Sequence, residues 1–140
     1  MSTAPGRRLW VLGAPDPEME DVEVLLRQNN EVYAYALLDG RRVEPETARK
    51  ADSFRIVEGL VKDSVYGYRR MLIECRLNQR WGVENDLVFD HHTAGDPGFG
   101  LGPDRFLEAS AIGQVLLHLH SLRSPTRLGH VGVPGCKPAP

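Results

Sequence analysis

Apolar residues recur along this chain with two different periods, and the switches between them outline its elements. The run RLWVL, residues 8–12, is short, continuous and closed by Gly13, which predicts a buried strand. In the next segment, APDPEMEDVEVLLRQNN, Asp16 stands at an N-cap position and Pro17 suits the first helical turn. Glu18, Glu20 and Asp21 favour the positive end of a helix dipole, while Met19, Val22, Leu25 and Leu26 share one apolar face. Asn29–Asn30 stops this helix. EVYAYALL, residues 31–38, suits a pleated strand and ends at Asp39–Gly40.

From Arg41 to Tyr68 the pattern is weaker: Pro45 opens a short helix through Lys50, and FRIVEGLV reads as a strand. MLIECRL (71–77) and DLVFD (86–90) predict two more strands. The link from Asn78 to Asp86 is then shorter than the dozen or so residues a parallel crossover needs. PDRFLEASAIGQVLLHL predicts one helix from an Asp104 cap, with Leu107, Ala111, Ile112, Val115, Leu116 and Leu119 on its apolar face. Ser121 to Pro140 holds four prolines, three glycines and no acid, and has no helical or strand period. The expectation is an α/β domain with a mainly parallel sheet over residues 1–120 and a poorly ordered tail over 121–140.

Composition narrows the class. With 140 residues, 41% hydrophobic and 26% charged, the chain is long enough to bury one core. The formal charge is −2, and the basic tail leaves the body more acidic still. That argues against coating nucleic acid, or attaching to a membrane, by bulk charge. No apolar run approaches the length of a membrane span. Cys75 and Cys136 are too few for a disulfide framework and lack metal-ligand spacing, so the expected compartment is the cytoplasm.

Candidate chemistry concentrates at strand ends. LVFDHH, residues 87–92, runs a hydrophobic strand into one acid and two histidines, followed by the glycine-rich TAGDPGFGLGP. Open α/β sheets bind ligands at the carboxyl ends of their strands, and mixed carboxylate and imidazole donors suit an ion such as Mn²⁺. The first strand delivers Asp16 and Glu18 to the same rim, and MLIECRL carries Glu74, which is costly to bury unpaired. Bound cations would relieve the repulsion, and a pair of them is suited to in-line attack on phosphorus. Arg69–Arg70, Arg76 and Arg80 are the basic residues expected near that rim, with Arg76 and Arg80 as phosphate ligands. Plainer roles compete for several residues. Asp16 can simply cap a helix, Cys75 and Trp10 suit a core, and Trp81 suits a sheet cover. His118 and His120 sit where a helix end favours positive charge.

Together, PD-x-E after the first strand, IE in a middle strand, and FDHH followed by EASAIGQVLLHL resemble the DHH phosphoesterase superfamily over residues 8–120. The resemblance implies a Rossmann-like three-layer domain holding one or two Mn²⁺ or Mg²⁺ ions and hydrolysing a phosphoester of nucleotide type. Matched by motif, Asp16, Glu18, Glu74, Asp90 and His91 fall on metal ligands. Asp90 and His92 fall on the catalytic residues, His92 being the one that faces the phosphate. Three departures stand out. Gly13 and Leu12 occupy the positions of an upstream histidine, glutamates replace two aspartates, and no carboxylate occurs after residue 120. They favour, as the alternative, a truncated and inactive DHH-like interaction module. They also raise the expectation of a second copy or a partner chain that completes the site. The implied ligand is a small phosphorylated or nucleotide molecule, with no membrane partner.

Overall fold

The structure, a computed structural model, describes residues 8–57, 68–78, 86–92 and 95–123. Strand β1 (Arg8–Leu12) is buried along almost its whole length, as its apolar run predicts. Helix α1 (Pro17–Gln28) starts as the local signals require: the Met19 amide donates to Asp16 Oδ1 at 2.8 Å, with Pro17 in the first turn. It buries Met19, Val22 and Leu26 and ends at Asn29, and Asn30 turns the chain at φ 58°.

Strand β2 (Tyr33–Leu38) turns at Asp39–Gly40 into β3 (Arg41–Arg42). A 3₁₀ turn at Ala48–Lys50 precedes β4 (Ser53–Ile56), and β5 (Arg69–Ile73) and β6 (Leu87–Phe89) complete the sheet. The strand order is β3-β2-β1-β5-β6, with β4 also paired to β2. The β1–β2, β1–β5 and β5–β6 pairs are parallel; β3 and β4 join β2 antiparallel. The fold is thus α/β with a mostly parallel sheet.

Several expectations change. MLIECRL is strand only to Ile73, because Glu74 turns away at φ 55°. The connection to β6 therefore runs over residues 74–86, which lifts the conflict with parallel pairing. The last helix is not continuous. A 3₁₀ turn (Pro103–Arg105) and α2 (Phe106–Ala109) break at Ser110 before α3 (Ala111–Arg123), so Asp104 lies in the turn rather than capping one long helix. Gly113 allows the close packing at this break, since a Cβ there would lie 2.3 Å from the Leu107 carbonyl oxygen. Ala111, Val115 and Leu119 are buried, whereas Leu107 and Leu116 face solvent. Helix α3 passes the expected boundary at residue 120; Cys136, His130 and the rest of 124–140 lie outside the described residues.

Two apolar layers hold the sheet. One joins Trp10, Leu12, Tyr33, Met71, Ile73 and Phe89 to buried residues of α1 and α3. The other gathers Leu9, Val11, Ala34, Ala36, Val43, Ala48, Ala51, Leu72 and Cys75 on the opposite face. Cys75 is the core residue its neighbours suggest, and burial pushes its thiol up to about 12. No helix among the described residues is long and apolar enough to cross a membrane.

Candidate metal centre

Because β1, β5 and β6 run parallel, their carboxyl ends meet at one rim. The Gly13 amide donates to the Ile73 carbonyl and the Glu74 amide to the Phe89 carbonyl, both at 2.9 Å. A Cβ on Gly13 would lie 2.3 Å from the Glu74 carbonyl oxygen, so only glycine admits this approach. Packed so tightly, Glu74 takes a left-handed backbone conformation that glutamate seldom adopts, and its side chain leaves the strand line for the rim.

The rim gathers four of the expected residues. Among the described residues, Glu74, His91 and His92 form a group whose donor atoms lie within 4.8 Å of one another. Glu74 Oε2 is 3.2 Å from His91 Nε2, and Glu18 Oε1 is 3.9 Å from the same nitrogen. Glu18 Oε2 accepts the Ile112 amide at 3.1 Å, so the first turn of α3 holds this carboxylate in place. Glu74 Oε2 and His91 Nε2 are both buried atoms without a hydrogen-bond partner. Burial pushes the Glu74 carboxyl up to about 8, helped by the negative charges of Glu18, Asp16 and Asp90. Desolvation and like charge act in the same direction here.

Asp90 and Asp16 are committed differently. Asp90 is 2% exposed. Its Oδ1 accepts the His91 amide and faces His92 Nδ1, each at 2.7 Å, while its Oδ2 accepts Arg76 Nη1 at 3.1 Å. Burial alone would raise its pKa, but the His92 ring, the His91 amide and Arg76 together hold it below the usual carboxylate range. Asp90 is therefore ionised, and it orients His92 from behind the donor group. Asp16 spends Oδ1 on the α1 cap, and its charge still reaches Glu74.

The arginines are arranged unlike the expectation. Arg76 spans Asp90 and Asp96, and Arg49 donates to Asp96 at 3.0 Å and lies 3.5 Å from Asp90. These contacts pin the glycine-rich loop against the site. Arg69 and Arg70 begin β5 and so lie at the opposite end of the sheet from the rim; Arg70 pairs with Asp86. Arg80 and Trp81 lie outside the described residues. His118 is not a charged helix-end residue. It packs edge-on to Trp10 and Phe89, and burial, with Arg8 and Arg69, lowers its pKa.

Two contributors escaped the sequence reading. Gln114 Oε1 accepts the Asp90 amide at 3.0 Å and its Nε2 donates to the Asp90 carbonyl at 2.9 Å, so a helix side chain continues the ladder beyond β6. The signal was a lone amide within the apolar run AIGQVLL. Arg42 donates from Nε and Nη2 to the Gly13 carbonyl at 3.2 and 3.0 Å, and only the pairing of β3 with β2 brings it there. Comparison of the chain with family models, with curated proteins and with solved structures finds no match.

Proposed function

We propose that this domain is a divalent-metal-dependent phosphoesterase of DHH type acting on a nucleotide-like phosphoester. Glu18, Glu74 and His91 would hold Mn²⁺ or Mg²⁺, and His92 would meet the phosphate. The observation that carries this reading is the facing pair of buried, unsatisfied atoms, Glu74 Oε2 and His91 Nε2, at the carboxyl ends of parallel strands. The donor set fits the group, since two carboxylates and an imidazole form a mixed oxygen and nitrogen shell suited to Mn²⁺. The parallel β2-β1-β5-β6 core is compatible with such a domain, although among the described residues α1 and α3 cover one face and only the 3₁₀ turn at Ala48–Lys50 lies on the other, short of the three layers expected.

A bound divalent ion supplies Lewis acidity toward water and toward a phosphoryl oxygen. The residues supply the rest. The proton that burial and the charges of Glu18, Asp16 and Asp90 keep on Glu74 would be displaced by a bound cation, leaving a carboxylate to face it. Asp90, ionised, faces His92 Nδ1 at 2.7 Å and so orients that ring, which would stabilise the charge of the phosphate. Gln114 fixes the backbone from which both histidines project.

One feature favours a non-catalytic metal-binding module as a second reading. The end of β1 offers no imidazole, because Leu12 is fully buried and Gly13 has no room for a side chain. Hydrolysis of bis(p-nitrophenyl) phosphate, with and without Mn²⁺, decides between them. Mn²⁺-dependent turnover is expected in the parent, lost in Glu74→Gln and reduced about 100-fold in His92→Ala. Equal rates under all conditions would overturn the enzymatic reading. Calorimetric Mn²⁺ uptake without turnover would assign the binding module.

A further inference from the structure

Arg42 is fixed on two sides. Its Nε and Nη2 share the Gly13 carbonyl, and its guanidinium lies 4.1 Å from the centre of the Tyr35 ring. Tyr35 is held in turn, its hydroxyl donating to Glu23 Oε2 at 2.7 Å. Gly13 belongs to the segment that delivers Asp16 and Glu18, and it abuts the Glu74 backbone. Through Gly13 the guanidinium is tied to the segment that leads to Asp16 and Glu18, and among the described residues its Nη1 makes no hydrogen bond.

Charge pairing separates this arginine from its neighbours. Arg49 and Arg76 each lie within 4 Å of both Asp90 and Asp96. Arg42 is half-buried and has no carboxylate within that distance among the described residues; Asp16 and Glu23 reach it only at longer range. A cation kept partly dry without a counter-ion costs free energy unless an anion arrives to meet it. Phosphate oxygens match the fork of a pre-oriented guanidinium, whereas a lysine in its place would offer only a point charge.

We infer that Arg42 is the substrate-phosphate ligand of this site, in the role that the sequence suggested for Arg76 and Arg80. The inference rests on the phosphoesterase reading. Its test is a pair of titrations on the full chain, first with Mn²⁺ and then with inorganic phosphate on the Mn²⁺-loaded protein, for the parent, Arg42→Gln and Arg42→Lys. Glutamine retains a donor for the Gly13 carbonyl and removes the charge. Mn²⁺ affinity is expected to stay within about threefold, while phosphate affinity falls about tenfold in Arg42→Gln and by a smaller factor in Arg42→Lys. For bis(p-nitrophenyl) phosphate, KM is expected to rise more than kcat falls.

Should Arg42→Gln melt like the parent and bind both Mn²⁺ and phosphate unchanged, the role of Arg42 is overturned and the metal reading survives. Should the parent take up no Mn²⁺, both fall. If Arg42→Gln does not fold, Arg42→Lys decides by the same criterion, with unchanged phosphate affinity counting against the role.

Discussion

Glu74 Oε2 and His91 Nε2 lie 3.2 Å apart, shut off from water, and neither makes a hydrogen bond. Buried polar atoms are nearly always satisfied, and these two stand at ion-pair distance from each other without a well-formed hydrogen bond. A cation between them would satisfy both and would offset the negative charge of Glu18 and Asp16 nearby.

That relationship makes metal binding a stability effect. At a Mn²⁺ concentration about 100-fold above Kd, the fold is expected to gain about 2.7 kcal/mol, read as a rise in Tm. Glu74→Gln and His91→Ala are expected to abolish the rise. A parent-like shift in either variant would show that the ion binds elsewhere.

The pH dependence is set by the direction of the Glu74 shift. Its carboxyl, raised from 4.5 to about 8, holds a proton more tightly folded than unfolded. The stabilising effect of the neutral group is complete below about 4.5 and is lost as pH climbs to about 8, levelling off beyond. The difference in urea stability between Glu74→Gln and the parent, without metal, is expected to widen across that window in favour of the variant. Mn²⁺ affinity is expected to rise over the same range, because binding displaces the proton. A parent–variant difference that does not change with pH would contradict the protonation of Glu74.

Gly13→Ala places a methyl group 2.3 Å from the Glu74 carbonyl oxygen. Both positions are backbone-constrained, so the strands must part. A loss of about 1–3 kcal/mol in urea unfolding is expected, together with weaker Mn²⁺ uptake as Glu74 moves. Unchanged stability would mean that the β1 and β5 ends are not packed this closely.

Arg76→Ala is expected to act on stability more than on phosphate affinity. It takes one cation from Asp90, which is buried, and from Asp96, and leaves Arg49 as partial compensation. A cost of about 2–3 kcal/mol is expected from chemical denaturation. A variant as stable as the parent but unable to bind phosphate would return Arg76 to the role of substrate ligand.

The legible part of the site was its parts list. His91 and His92 stood out because they follow the apolar run LVF, Glu18 because it lies in the segment beyond the first strand, and Glu74 because a carboxylate inside an apolar strand is costly; parallel strands deliver such residues to one rim. The end of MLIECRL was not legible. Glutamate seldom adopts φ 55°, and the residue its backbone abuts, Gly13, stands at the end of a strand far upstream in the chain. The break at Ser110 likewise reflects the packing of Gly113 on Leu107.

The sequence by itself determined what depends on near neighbours. The Asp16–Pro17 start of α1, its apolar stripe and the apolar strands β1 and β2 arise from residues within a turn or two of each other. Tertiary structure decided which charges were already spent. Asp90 is consumed by Arg76 and His92, Arg76 by two aspartates, and Arg42 is drawn to the rim by strand pairing. Electrostatic partners are chosen by distance in space across a partly dry interior, and no local period in the chain records that distance.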